Sequence, residues 1–303
     1  MNIQTVLDHE KAHGLLTALD LQLLLAHALG LSRITLLTWP ERMVSAEARA
    51  HFESLCARRR QGEPLAYLLG HKEFWSLPLV VNPAVLVPRP ETEVLVRAIL
   101  ERFDGPEALR VLDLGTGSGA ITLALASERP HWAFTAIDRS EAALDLAKHN
   151  YRLLRTKAVL AASSKVVFVQ SDWFEILDPK SDRFDIIVSN PPYIEAGDPC
   201  LSGDGLRWEP PEALASGVDG FAAIAQILVA APDFLKTGGC LALEHGATQG
   251  ARIRGALKNK GFLQIVTLRD EAGHERVSLG SFREPIQHAQ HVQPINIHRA
   301  GTH

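Results

Sequence analysis

From residue 109 to about residue 259 the chain repeats one pattern, an apolar run of strand length followed by a stretch of helical spacing. "LRVLDLG" reads as a strand and "GAITLALASER" as a helix. "WAFTAID", "KVVFVQSD", "FDIIVSN" and "GCLALEH" are further strands, with "EAALDLAKHN" and stretches of about 219 to 231 and 248 to 259 as helices. Continuous apolar strands are buried on both faces, which requires helices on both sides of a mostly parallel sheet. The closing segments "FLQIVTLRD" and "ERVSLGSF" read as an antiparallel pair.

The first 60 or so residues read as helices instead. Asp20 is the expected N-cap of one of them. Leu21, Leu24, Leu25 and Ala28 follow at helical spacing, and Gly30 supplies the stop. Ser45 caps a further helix running to Arg58, Arg59 and Arg60, whose cations suit a helix C-terminus and are expected to stay solvated. Residues 72–88, "KEFWSLPLVVNPAVLVP", turn aromatic and β-branched. They suggest a β-hairpin linker with its turn at Asn82-Pro83. "PRPETE" and a helix over about 91 to 103 come next. The expected division is therefore a helical unit over 1–70, a hairpin linker over 71–89, an α/β domain over 90–282 and a disordered tail over 283–303.

Bulk properties narrow the class. A net charge of −4 argues against a protein that grips duplex nucleic acid mainly through phosphates. The three cysteines, Cys56, Cys200 and Cys240, have neither metal-ligand spacing nor the even count of a disulfide framework. No basic segment leads into an apolar one at the start, and "LDLQLLLAHALGL" falls well short of the about 18 apolar residues of a membrane span. A cytoplasmic protein with no membrane contact is the expectation.

"VLDLGTGSGA" ends the first strand of the alternating region. Gly115, Gly117 and Gly119 let the backbone turn tightly and approach a ligand, with Thr116 and Ser118 between them, and the next helix offers its N-terminal N–H groups. Gly115, Gly117 and Ala120 also satisfy the dinucleotide fingerprint. Asp138 closes the next strand, 19 residues past Gly119, and suits ribose hydroxyls in either ligand. Two features favour S-adenosylmethionine. Asp113 suits the ligand's ammonium group, where a pyrophosphate would prefer no anion, and Asp172-Trp173 offers an indole face for adenine.

A second loop follows "FDIIV". In Asn190-Pro191-Pro192-Tyr193 the asparagine is held extended by the proline after it, and the prolines carry no N–H. The loop presents acceptors, the Asn190 side-chain oxygen and the Pro191 carbonyl, beside a flat wall from Tyr193. Two acceptors suit an –NH2 group. That points to methyl transfer onto a planar, weakly nucleophilic nitrogen; the plainer alternative is a rigid turn after a strand.

With both loops read, the chain resembles the N5-glutamine methyltransferases over about residues 15–282. The resemblance rests on "GEPLAYLLGHKEFWSLPL", "LVPRPETEVLV", "VLDLGTGSGAI", "AID", "QSDWF", "IVSNPPYI", "EP" at 209–210, "LEHG" and "ERVSLG". The NPPY sequence alone also fits adenine-N6 DNA methyltransferases. "PRPETE" favours the release-factor branch over the sister enzyme acting on ribosomal protein L3. The resemblance implies an α/β fold, a Rossmann-like class I methyltransferase domain with a seven-stranded, mostly parallel sheet, preceded by a small N-terminal helical domain. It implies S-adenosylmethionine as methyl donor, with S-adenosylhomocysteine as product. The implied substrate is the glutamine of the Gly-Gly-Gln tip of class I peptide chain release factors, which the helical domain docks, and no nucleic-acid substrate is expected. Gly115 to Gly119, Asp138, Trp173 and Asn190 are implied at the cofactor, and Asn190 to Tyr193 at the target amide.

Overall fold

The computed structural model of the chain describes residues 1–203 and 205–283. Five helices come first: α1 (Ile3–Lys11), α2 (Ala18–Leu29), α3 (Arg33–Thr38), α4 (Ala46–Arg60) and α5 (Leu65–Leu69). They close on their own core of Ile3, Leu21, Leu24, Leu25, Leu36, Phe52 and Leu55. Gly30 ends α2 in the left-handed region, and Ser45 caps α4 through Ala48 N–H, both as the sequence predicts. The cap of α2 differs. Thr17 holds the Asp20 N–H at 3.0 Å, so Asp20 is the acidic third residue of the helix rather than its cap. The arginine triplet differs as well. Arg58 pairs with Glu63, Arg59 with Asp20 and Arg60 with Glu10, so the end of α4 is tied to carboxylates; Arg58 stays half exposed, while Arg59 and Arg60 are largely covered.

A hairpin follows, β1 (His71–Phe74) and β2 (Leu77–Val80), paired antiparallel with Phe74 opposite Leu77. Its turn is Trp75-Ser76, both residues at positive φ (51° and 58°), the two-residue geometry that matches strand twist. Asn82-Pro83 therefore lies beyond the hairpin, where Asn82 Oδ1 accepts from Ala84 N–H at 2.9 Å. Phe74, Leu77 and Leu79 sink into the core of the α/β unit.

That unit contains α6 (Glu93–Arg102), β3 (Arg110–Leu114), α7 (Ala120–Glu128), β4 (Ala133–Asp138), α8 (Glu141–Thr156), β5 (Lys165–Gln170) and β6 (Phe184–Ser189). It continues through α9 (Pro211–Leu214), α10 (Ala222–Phe234), β7 (Leu235–Glu244), α11 (Gly250–Asn259), β8 (Phe262–Arg269) and β9 (Glu275–Phe282). One seven-stranded sheet results, in the order β5-β4-β3-β6-β7-β9-β8. β9 alone runs opposite to the other six strands. Strand alternation divides the core. Val111, Ile186, Val188 and Ala242 face α6 and α7, while Leu112, Ile187, Leu241 and Leu243 face α10 and α11. Each such Leu, Ile or Val contributes about 1.5–3 kcal/mol when fully buried. Strand order reverses at β3, so the crevice beyond the carboxyl ends of β3 and β6 is the place this topology reserves for a ligand.

Among the described residues no helix is long and apolar enough to cross a membrane. The expected tail lies outside the described residues from 284 onward.

Candidate active site

Sheet register brings the two loops together. Leu114 pairs with Ser189 across β3 and β6, and the Ser189 hydroxyl donates to Leu114 O at 2.7 Å. Gly115 and Asn190 are the next residues on these adjacent strands. On the other side Leu114 pairs with Ile137 of β4, and Gly115 and Thr116 both donate backbone N–H groups to Ile137 O (2.8 and 2.9 Å). Asp138 pairs in turn with Gln170 at the end of β5, so Ser171, Asp172 and Trp173 leave the sheet at the same edge.

A cavity of about 340 Å³ opens there, a size suited to a small ligand. Gly115, Thr116, Gly117, Ser118, Asp138, Asp172, Trp173, Asn190 and Pro192 all line it. Glycine is favoured at position 115 by its left-handed backbone (φ 72°), while a Cβ there would make only ordinary contact with the Trp173 ring, at 3.7 Å. Trp173 is itself left-handed (φ 48°), a strained conformation that costs on the order of 1–3 kcal/mol and sets the indole against the glycine loop. Gly119 lies outside the lining. It caps α7 at φ 84°, where a Cβ would meet Leu123 Cδ1 at 3.0 Å.

Asp113 also lies outside the lining, buried under the loop. Its Oδ2 accepts from the Thr116 and Thr122 hydroxyls, both at 2.7 Å, which ties loop to helix. Its Oδ1 is buried without a partner among the described residues. Burial pushes the Asp113 carboxyl up to about 6 against the pull of the two hydroxyls. The Asp138 carboxylate accepts from Gly117 N–H (2.9 Å) and Ser140 N–H (3.0 Å), and burial raises its pKa. Each of its oxygens keeps a further lone pair for a ligand hydroxyl.

Asn190 donates from Nδ2 to Thr92 Oγ1 at 3.2 Å, while its Oδ1 takes no hydrogen bond from any described residue. Pro191 and Tyr193 do not line the cavity. The Tyr193 hydroxyl donates to Glu244 Oε1 at 3.3 Å, and its carbonyl accepts from Gln249 Nε2 at 3.2 Å. Gly220 presses on that carbonyl, since a Cβ there would fall 2.3 Å from Tyr193 O.

Several site residues carry no sequence signal beyond membership of a quoted segment. Thr92 and Arg89 of "PRPETE" line the cavity. Arg89 pairs with buried Glu209, whose Oε2 accepts from Val87 N–H at 2.9 Å, strapping this segment to the loop before α9. Asn150 is fully buried. It accepts from Val80 N–H (2.8 Å) and donates to Val80 O (3.0 Å) and Ser118 O (2.9 Å), keying the hairpin to the glycine loop. A polar residue on the apolar face of an otherwise regular helix is the one available hint of it.

Residues 13–70 match the family described as PrmC N-terminal domain, and residues 106–277 match the family described as Methyltransferase domain. The chain is 46% identical over 269 residues to the release factor glutamine methyltransferase of Vibrio cholerae, covering 88% of this chain and 90% of that one. It is 50% identical over 264 residues to the protein of the same name from Pseudomonas aeruginosa, covering 87% and 92%. Among solved structures, the T. thermophilus 16S rRNA N2 G1207 methyltransferase in complex with AdoMet and guanosine matches with a TM-score of 0.50 at 23% identity. That match covers 70% of this chain and 50% of the other, and is a likeness of fold. At the identity and coverage of the Vibrio and Pseudomonas proteins, the chain belongs to the release factor glutamine methyltransferase family.

Proposed function

We propose that the protein transfers a methyl group from S-adenosylmethionine to the side-chain amide nitrogen, N5, of the glutamine in the Gly-Gly-Gln tip of class I peptide chain release factors. One observation carries the reading. Asn190, on the wall of the cavity formed with the glycine loop, has its amide N–H tied to Thr92 and its oxygen without a partner among the described residues.

The residues present fit the cofactor. Asp113 is sealed beneath the loop and ties it to α7 through the Thr116 and Thr122 hydroxyls, so its part is to hold the loop's shape under the ligand. Gly117 has open space where a Cβ would be, Asp138 retains free lone pairs, and Trp173 supplies an apolar face. Gly115 to Ser118, Asp138, Asp172 and Trp173 are assigned to hold it, with Asp113 acting from beneath the loop. When bound, the cofactor supplies an electrophilic methyl group.

The chain's own part is positioning. An amide nitrogen is a poor nucleophile because its lone pair is delocalised into the carbonyl. Asn190 Oδ1 accepts one N–H of the target, and the Pro191 carbonyl is assigned the other. Tyr193 is assigned as the flat wall for the target group, although neither Pro191 nor Tyr193 lines the cofactor cavity. Fixing both hydrogens orients the nitrogen, and the same acceptors stabilise positive charge as it develops there. Orientation of this kind is worth up to about 7–11 kcal/mol. No general base is needed, since the methylated nitrogen is acidic enough to release its proton to water.

Labelled S-adenosylmethionine offered with release factor, ribosomal protein L3 and duplex DNA tests the assignment. Label is expected on release factor alone. Labelling of ribosomal protein L3 or of DNA in preference would overturn it. A cytoplasmic location accords with a substrate that works on the ribosome.

A further inference from the structure

Beneath the NPPY loop, at the end of β7, lies a carboxyl with no part in the chemistry above. Glu244 is 1% exposed. Its Oε1 takes the Tyr193 hydroxyl at 3.3 Å, and the Thr92 hydroxyl, which accepts from Asn190 Nδ2, lies close to the carboxyl without a hydrogen bond of full geometry to it. Its Oε2 is buried with no partner in full hydrogen-bond geometry among the described residues. Three chain segments far apart in sequence meet here: Thr92 before α6, the loop after β6, and the end of β7.

The chemistry of the three groups gives the cluster a direction. A hydroxyl both donates and accepts, so Thr92 alone cannot dictate which end of the Asn190 amide it meets. An ionised carboxylate accepts only. With Glu244 ionised, the Thr92 O–H is drawn towards it, leaving the Thr92 oxygen to accept from Asn190 Nδ2. The Asn190 Oδ1 is then turned to the cavity. Tyr193, also donating to Glu244, is held by the same anchor.

We propose that Glu244 is a positioning residue for methyl transfer, setting the orientation of the Asn190 amide through Thr92 and fixing the Tyr193 ring. The proposal rests on the reading of Asn190 as the acceptor for the target amide.

The surroundings make Glu244 responsive to pH. Burial pushes its carboxyl up to about 7, opposed by the Thr92 and Tyr193 hydroxyls and by Arg276 of β9, and reinforced by Glu91 of the turn before α6. The next residue, His245, is engaged elsewhere, with Nε2 2.9 Å from the Ser278 hydroxyl. Below about 7 the acid proton makes Glu244 a donor as well, and the direction of the chain is no longer imposed. Turnover should therefore rise with pH through this range.

The test compares kcat, KM and S-adenosylmethionine affinity across pH for wild type, Glu244→Gln, Thr92→Val, Thr92→Ser and Asn190→Ala with intact release factor. Glutamine keeps the shape of Glu244 but adds a permanent donor. Glu244→Gln is expected to lower kcat by about 10- to 100-fold, the scale of a misplaced reacting group. Its cofactor affinity stays unchanged and its rise of kcat with pH disappears. Thr92→Val should lose kcat similarly, and Thr92→Ser should recover most of that loss. If Glu244→Gln fails to fold, the valine and serine pair decides. Wild-type kcat and an unaltered pH rise in Glu244→Gln, alongside an inactive Asn190→Ala, would overturn the role of Glu244 while leaving that of Asn190 in place. Wild-type turnover in Asn190→Ala would overturn both.

Discussion

At Asn190 the amide has two unlike ends, and Thr92 occupies only the donor end. Asn190→Ala removes the acceptor and leaves one N–H of the target unpaired, which costs about 1–3 kcal/mol. Loss of orientation adds about 10²-fold in rate. Steady-state assays with release factor should show turnover reduced by about that factor or more, with cofactor affinity changed less. Asn190→Asp keeps an acceptor but cannot donate to Thr92, and it places a second carboxylate near Glu244. Its turnover should fall between wild type and alanine. The residues legible from sequence, Gly115, Asp138, Asp172, Trp173 and Asn190, share one property: each sits where an apolar strand stops, so local pattern alone exposes it. Thr92 carries no such signal, and Glu244, although it too ends an apolar strand, shows its role only once strand order brings residues 92, 190 and 244 together. Tyr193 illustrates the same limit. Its place in the loop is plain, yet its hydroxyl is committed to a partner 51 residues away.

Between elements, the hairpin and the glycine loop are joined through a single side chain. Asn150 satisfies both polar groups of Val80 and the Ser118 carbonyl from within α8. Asn150→Ala leaves these buried groups without partners, at about 1–3 kcal/mol for each that water cannot reach. Calorimetry should show a lower melting temperature and weaker S-adenosylmethionine binding together, because the same amide holds the strand and the loop. A stability loss with cofactor affinity intact would mean that Ser118 is placed by α7 alone. The strands and most helices of the α/β unit follow from apolar runs because burial on both faces leaves little else to decide. Turn chemistry is where local reading fails. Trp75-Ser76 contains no Gly or Asn to announce its positive φ angles, whereas Asn82-Pro83 has turn residues but serves the exit from β2. The arginines of α4 looked like a solvated helix end, and only the packing of α1 and α2 supplies Glu10 and Asp20 as their partners.

For the whole molecule, two carboxyls buried under the site set a stability dependence opposite to the usual one. Asp113 (to about 6) and Glu244 (to about 7) are both raised by burial. The folded state then holds their protons more tightly than the unfolded state. Their contribution is fully present below the ordinary carboxylate range and is lost progressively as pH rises from there to about 6 for Asp113 and about 7 for Glu244, by at most about 1.4 kcal/mol per pH unit per group. His27 and His245, lowered mainly by burial, act in the opposite sense over part of that window. Differences between variants isolate the carboxyls. Thermal melts of the cofactor-free protein should show Glu244→Gln gaining stability relative to wild type as pH rises from 5 to 8; a constant difference would place the carboxyl in a better-solvated site than its burial implies. The division of labour along the chain is assigned in the same spirit. The helices within 1–70 have their own core and contribute no residue to the cavity, so we give them the docking of the substrate and leave the chemistry to 90–282, with the hairpin between.

All of these assignments converge on one covalent product. Release factor incubated with the protein and S-adenosylmethionine, then digested and sequenced by tandem mass spectrometry, should carry a single added methyl on the glutamine of its Gly-Gly-Gln tip, at the side-chain nitrogen, and Asn190→Ala should leave that peptide almost unmodified. A methyl placed on any other residue, or equal modification by wild type and Asn190→Ala, would contradict the account.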